Sequence, residues 1–337
     1  MKRVNVVGYY GWENFGDELF RAAIHINREL IWGPGVQLRS FVTPIRMLHQ
    51  NTGPLGSITR LCETVIGGLW GDTIALCGGS VLEDVRGTQR LRSAVIQRNR
   101  RTEAIGVSLG PWRSATAKAR VREYISQMDR VVVRDTASRT RVGLNISVGG
   151  DLAALYPMPI YELSERKYLT ICPSVDSGAS VDDVVAILDE LLTHVDLPVR
   201  MLALNVRRRH GDVEFSHQIR ERLARLGHDI EFERFDSLDQ TIEIIAKSRA
   251  VWSQRLHGVI VSYLCDVPVL ALSHHQKITD FASDIGLPPR FAPETLSPSG
   301  STIRAAAETL RGRPSWQIKS EHYRQMTRNA FTLTDSK

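Results

Sequence analysis

Cysteine is scarce. The 337 residues hold four, Cys62, Cys77, Cys172 and Cys265, with no CxxC pair and no zinc-like spacing. That excludes a disulfide scaffold and fits a reducing cytoplasm, the expected compartment. Lysine is short as well: of 43 cationic residues, 36 are Arg and 7 are Lys. Long apolar runs are missing, and no window approaches the roughly 18 residues of a membrane span. Met1-Lys2-Arg3-Val4-Asn5-Val6-Val7-Gly8 carries two cations but no apolar stretch of signal-peptide length, so it reads as a first strand. Membrane contact is thereby confined to a peripheral kind, basic surface on the anionic lipid of the inner membrane. No low-complexity tract and no repeat of about 20–50 residues occurs, which excludes solenoids and arrays.

What is present is ordinary for a globular chain, with 42% hydrophobic and 24% charged residues. The 43 cations against 37 acids leave a net charge of +6. At about 150 residues per domain the length suggests two domains. Short β-branched runs alternate with amphipathic stretches, the α/β signature. In the first half the expected strands are Val4–Val7, Val36–Phe41, Thr73–Cys77, Ala104–Ser108, Arg130–Val133 and Ile146–Val148, with helices at Asp17–Leu30, Ile58–Leu69, Thr88–Asn99 and Thr116–Met128. A Pro-flanked segment from Tyr156 to Lys167 follows, and then the pattern restarts. Strands are expected at Leu169–Cys172, Val199–Ala203, Ala250–Trp252 and Val267–Leu272. Helices are expected at Val181–Leu192, Phe215–Leu226, Leu238–Ala246 and His257–Leu264, and two more close the chain at Thr302–Leu310 and Trp316–Arg328. The expectation is two Rossmann-like domains facing a cleft, at 1–157 and 165–300, with C-terminal helices at 301–337. Such sheets bind ligands beyond the carboxyl ends of their strands, so functional residues belong in the loops just after them.

Four such loops stand out. After the first strand, Gly8-Tyr9-Tyr10-Gly11-Trp12-Glu13-Asn14-Phe15-Gly16-Asp17-Glu18 opens a helix, with spacing that is neither GxGxxG nor a P-loop. Asp17 alone reads as a helix cap. Gathered with Asn14, Glu18 and three aromatic residues, it equally suits sugar binding. After the third strand, Gly78-Gly79-Ser80 either exposes backbone N–H groups to a ligand or forms a tight turn. Arg134-Asp135 follows the apolar Val131-Val132-Val133 and reads either as a cleft-mouth pair or as a salt-bridged helix start.

The fourth loop is the most informative. Val251-Trp252-Ser253-Gln254-Arg255-Leu256-His257-Gly258 turns an apolar strand into an apolar helix, placing Arg255 and His257 by a helix N-terminus. A guanidinium, an imidazole and helix N–H groups make a cradle for phosphate or carboxylate. Lys277, after Ser273-His274-His275-Gln276, adds a cation. His274 and His275 lack the spacing of a helical zinc site, so no metal is expected.

These residues resemble the polysaccharide pyruvyl transferases. The resemblance rests on the first loop, the Gly78-Gly79-Ser80 turn, Val133-Arg134-Asp135 with Ser138, Asp151, Ser253 with Arg255-Leu256-His257-Gly258, and Val267-Pro268-Val269 with Lys277. It runs in order from about residue 4 to residue 285. Cys77 stands where the family more usually has a first Gly, and His275-Gln276 also depart from its pattern. The resemblance implies a fold like the GT-B glycosyltransferases. It further implies transfer of the pyruvyl group of phosphoenolpyruvate onto two hydroxyls of a sugar, free or lipid-linked, in a cell-surface polysaccharide or its precursor. The products are a cyclic ketal and phosphate, with no cofactor beyond phosphoenolpyruvate as donor substrate. It assigns Arg255, Leu256 and His257 to the donor and adds Arg134 as a second arginine of that site. Chemistry then requires a general acid, for which His257 is the candidate, and a base, for which Asp17 or Glu18 is.

Two other readings stay open. A nucleotide-sugar glycosyltransferase could use the same cradle. A non-catalytic sugar- or nucleic-acid-binding protein could use the runs Arg90, Arg92, Arg98, Arg100-Arg101 and Arg207-Arg208-Arg209. Without a recognition motif those runs read as solvated faces, and no nucleic-acid partner is expected.

Overall fold

A computed structural model describes residues 1–79, 82–85, 87–99, 101–272, 275–287, 300–311 and 317–333. Ser80 and His274 therefore lie outside the described residues. The chain separates into two compact units. One comprises Met1–Trp12, Asp17–Tyr156 and Tyr323–Lys337; the other comprises Glu13–Gly16 and Pro157–His322.

The first unit runs β1 (Arg3–Val7), α1 (Phe15–Ile26, its first two residues grouping with the second unit), α2 (Arg28–Trp32), β2 (Gln37–Arg39), α3 (Arg46–His49), α4 (Pro54–Trp70), β3 (Thr73–Cys77), α5 (Thr88–Gln97), β4 (Arg101–Val107), α6 (Ala115–Ser126), β5 (Arg130–Val133), α7 (Thr136–Val142) and β6 (Ser147–Val148). Its strands pair in parallel in the order β2-β1-β3-β4-β5-β6. β3 and nearly all of β4 are buried on both faces, as a parallel sheet covered by helices requires. One face packs Val4, Val6, Phe20, Ile24 and Ile31; the other packs Ile74, Leu76, Val121 and Ile125.

The second unit runs β7 (Tyr168–Cys172), α8 (Val181–Thr193), β8 (Val199–Ala203), α9 (Asp212–Arg225), β9 (Ile230–Arg234), α10 (Leu238–Ala246), β10 (Ser248–Ser253), α11 (Leu256–Leu264), β11 (Val269–Ala271), α12 (Gln276–Asp284) and α13 (Gly300–Arg311). Its sheet is also parallel, in the order β11-β10-β7-β8-β9. These are the two parallel α/β domains of the expected GT-B-like fold.

Three local differences from the sequence reading have physical causes. Asp17–Leu30 is two helices, because Asn27 donates to the Ala23 and Leu155 carbonyls (both 2.9 Å) and turns the chain there. β9 was not anticipated: Glu231 and Glu233 flank Phe232 on an edge strand, so its apolar signal is thin. The C-terminal helices do not act as one segment. α13 buries Ile303, Ala306 and Leu310 in the second unit's core, whereas α14 (Gln317–Phe331) inserts Phe331 into the first. Arg130 ties that end down, donating to the carbonyls of Ile31 and Phe331 at 2.8 Å each.

Candidate active site

In the second unit, β10 ends in a turn built around Ser253. Its Oγ accepts from the Arg255 N–H at 3.1 Å and donates to the Arg255 carbonyl at 2.8 Å. Gln254 is buried, its N–H on the Cys172 carbonyl (3.0 Å) and its Oε1 accepting from the Ser174 N–H (3.1 Å). Arg255 is thereby the N-cap residue of α11. A Cβ on Gly258 would lie 2.3 Å from the Ser253 Oγ, so only glycine lets the helix start this close to its strand.

Arg255 does not stand open as the sequence reading supposed. Its Nε and Nη2 fork onto the Asp212 carboxylate, with Nε–Oδ2 at 2.8 Å, and its Nη1 meets Asp176 at 2.7 Å. Three of the five guanidinium donors are thus on carboxylates. Asp212 is fully buried at the start of α9 and also accepts from the N–H groups of Val175 (3.2 Å) and Asn205 (3.1 Å). Burial pushes the Asp212 carboxyl up, and Arg255 offsets this only in part. For Arg255 burial works downward, but Asp212 and then Asp176 outweigh it and hold the guanidinium above its ordinary value. Asp176 is half-exposed, the outer and more easily displaced partner. Neither acid was anticipated. An acid opening a helix just after a strand, as Asp212 does, is the cue that drew attention to Asp17.

His257 lies in the first turn of α11, against the segment Glu13–Gly16. That segment is held by the Phe15 N–H on the Leu204 carbonyl and the Val206 N–H on the Glu13 carbonyl, both at 2.9 Å. Asn14 bridges to Asn205 and accepts from the Gly16 N–H at 3.1 Å, so it shapes the loop. A Cβ on Gly16 would sit 1.9 Å from His257 Nδ1. Gly16→Ala is expected to cost about 1–3 kcal/mol in chemical denaturation and to shift the His257 ring resonances. Unchanged resonances would show that the ring does not depend on this contact.

In the first unit, Glu18 accepts from the Gly11 N–H at 2.6 Å, a loop-holding role that takes up one of its oxygens. Asp17 lies in the first turn of α1, its Oδ1 3.6 Å from where a Gly79 Cβ would be. Gly78 has φ +70° and lies against Phe20, while its N–H serves the Ile105 carbonyl at 2.9 Å. Arg134 is buried, 3.5 Å from Asp135 and 3.6 Å from the fully buried Asp151. Asp135 caps α7 through the Ser138 N–H (2.7 Å) and accepts from the Ser108 hydroxyl (3.0 Å). The structure thus groups Asn14, Gly16, Arg255, Leu256 and His257 in one unit, and Asp17, Glu18, Gly78, Gly79 and Arg134 in the other. Lys277 is exposed in the first turn of α12.

Residues 14–276 match the family described as polysaccharide pyruvyl transferase. The chain belongs to that family. The match takes in the first loop from Asn14 onward and the whole Ser253–Gly258 turn of this transferase, and stops one residue before Lys277. No curated protein matches it significantly. Among solved structures, it is similar to the UDP-GlcNAc 2-epimerase of Neisseria meningitidis bound to UDP-GlcNAc, with TM-score 0.60, 11% identity, and 97% of this chain and 94% of that one covered. The UDP-GlcNAc 2-epimerase of Methanocaldococcus jannaschii gives TM-score 0.58 and 10% identity, covering 97% and 99%. A glycosyltransferase from Rickettsia africae gives 0.57 and 13%, covering 98% and 94%. At these identities the likeness speaks for the fold. Among the described residues, no helix is long and apolar enough to cross a membrane.

Proposed function

We propose that the transferase moves the pyruvyl group of phosphoenolpyruvate onto two hydroxyls of one sugar, forming a cyclic ketal and releasing phosphate. The observation that carries this reading is the Arg255-Leu256-His257 turn: a partly buried guanidinium held in one orientation by Asp212 and Asp176 at the start of α11, with an imidazole two residues on. The donor's two anionic groups suit a planar guanidinium and the first-turn N–H groups of a helix. Half-exposed Asp176 is the group a donor carboxylate or phosphate displaces from Arg255. Lys277 would add a second cation, whereas Arg134 is buried against Asp135 and Asp151.

Protonation of the enol methylene gives an oxocarbenium-like centre at C2. The first sugar hydroxyl adds there and gives up its proton. The C2–O bond to phosphate then breaks, and the second hydroxyl closes the ketal, its proton leaving with the phosphate. His257 is the proton donor in this scheme. The base in this scheme is an acid of the first loop, Asp17 or Glu18, the latter keeping one carboxylate oxygen besides the one on the Gly11 amide. Arg255 and Lys277 neutralise the departing phosphate, so the step calls for no further cofactor.

The test is incubation with phosphoenolpyruvate and a panel of lipid-linked and aryl glycosides. The expected result is phosphate release with a pyruvate ketal on the acceptor by mass spectrometry, and at least a roughly tenfold slower release in His257→Ala. Release of a nucleoside diphosphate from a sugar nucleotide, with no ketal, would overturn the reading in favour of glycosyl transfer.

A further inference from the structure

The two sides of α4 differ in chemistry. Inward, its Thr64 hydroxyl accepts at 2.8 Å from Arg92, which belongs to one of the arginine runs read from sequence as solvated yet turns toward the helix. Gly67 lies against the buried Asn5 of β1, where a Cβ would lie 1.9 Å from the Asn5 amide nitrogen. The only charged residues of α4, Arg60 and Glu63, are engaged with their own unit. Arg60 donates to the carbonyls of His49 (3.3 Å) and Asn51 (2.9 Å). Glu63 accepts from the Thr43 N–H (2.6 Å) and meets His49 (3.0 Å).

Outward, Leu55, Ile58, Cys62, Ile66 and Leu69 are exposed, Leu69 over 83% of its surface and Leu55 over 61%. Steps of 3, 4, 4 and 3 residues keep them on one stripe, with Val65 along its edge, on the opposite side of the helix from Arg60 and Thr64. Apolar surface this continuous, with no charge in it, is uncommon on a chain that stays alone.

The stripe reads the same from both ends: Leu at 55 and 69, Ile at 58 and 66, and Cys62 in the middle. A second copy of the helix, turned end for end about Cys62, sets Leu55 on the other Leu69, Ile58 on the other Ile66 and Cys62 on its equivalent. One patch then serves both copies, as a two-fold interface requires. Antiparallel helices crossing at about 20° keep all these levels in contact over such a length. Covering the stripe on two copies removes on the order of 1,000 Å² from water, the lower limit of a specific interface. A helix lying on anionic lipid instead carries Lys and Arg on its polar face. α4 has no lysine, and its one arginine is spent on backbone carbonyls.

We propose that the protein is a homodimer in which α4 packs antiparallel on α4 of a second copy, centred on Cys62. The pairing does not depend on which reaction is catalysed. It braces the helix whose Glu63 holds His49, and His49 in turn holds the Tyr10 carbonyl of the first loop at 2.7 Å.

The test joins sedimentation velocity of the full chain to thiol crosslinking with a short bismaleimide. The parent is expected to sediment as a dimer, with an unfolding temperature that rises with concentration. Ile58→Glu with Ile66→Glu buries acids in the interface and is expected to weaken association about a hundredfold or more. Its circular dichroism should match the parent's, because both side chains are exposed in the single chain. The bismaleimide is expected to join two copies through Cys62, the other three cysteines being buried; Cys62→Ser should lose the crosslink and keep the dimer. With Cys62→Ser in place, Leu55→Cys mixed with Leu69→Cys should crosslink to each other and neither to itself, since like positions lie about 21 Å apart in this pairing. A parent that is monomeric at every concentration overturns the proposal, as does a dimer that survives Ile58→Glu with Ile66→Glu. Leu55→Cys crosslinked to itself overturns it in favour of a parallel pair. Monomers that bind phosphatidylglycerol vesicles through the same two isoleucines overturn it by giving the stripe to lipid.

Discussion

Arg255→Ala is expected to slow phosphate release from phosphoenolpyruvate by about a hundredfold or more and to destabilise the fold by roughly 3–5 kcal/mol. The two losses share one origin. Arg255 carries the charge assigned to the donor, and it is also the counter-ion of Asp212, which is fully buried. Removing the cation strands a carboxylate with no access to water, and the cost of that exceeds the net worth of the pair. The pH dependence separates the two effects. Burial already raises the Asp212 carboxyl, and losing Arg255 raises it further. A carboxyl whose folded pKa lies above its unfolded value contributes stability below the unfolded pKa and loses it as pH rises through the folded one. The deficit of Arg255→Ala in denaturant unfolding should therefore be larger at pH 8 than at pH 5. Arg255→Ala with Asp212→Asn should recover most of the stability and none of the turnover. A single variant as stable as the parent at pH 8 would mean that Asp212 is not an internal charge.

How much of this was legible beforehand follows from which interactions are local. Ser253 to Gly258 could be read because a strand, a polar break and an apolar helix are contiguous, so the position of Arg255 and His257 follows from chain geometry. The partners of Arg255 could not: Asp212 lies 43 residues away and Asp176 79, and only the pairing of β10 with β7 and β7 with β8 brings their loops together. For the same reason an open cradle was expected where the structure shows a paired one. Gly16 shows the same limit. Within its loop it reads as a flexible turn, and its reason for being glycine is an imidazole 241 residues further along. Arg92 shows the converse, since a run of arginines carries no sign of which one turns inward. Arg130 adds a structural use for arginine, a cation capping two buried carbonyls, so part of the arginine excess is internal stapling.

Asp151 carries the second large effect, one that reaches the whole fold through pH. Its carboxyl is fully buried, accepts from the Ala153 N–H at 2.9 Å and lies 3.6 Å from Arg134. Its own N–H donates to the Tyr323 hydroxyl at 2.7 Å, so it also anchors α14. Burial raises its pKa to about 6; Arg134 and the Ala153 N–H oppose that rise, and Asp135 adds to it. In the unfolded chain the same carboxyl titrates near 4. Between those values the folded state holds the extra proton, so stability falls as pH rises, by about 3 kcal/mol once both states have ionised. Asp151→Asn keeps the shape and removes the titration. The difference in unfolding free energy between parent and variant, measured every half unit from pH 4 to 8, should move steadily in favour of Asn across this window and level off above it. Asp212, also raised, titrates in both proteins and cancels in that difference. A flat difference curve would mean that Asp151 ionises as an ordinary carboxylate, and that Arg134 compensates its burial in full.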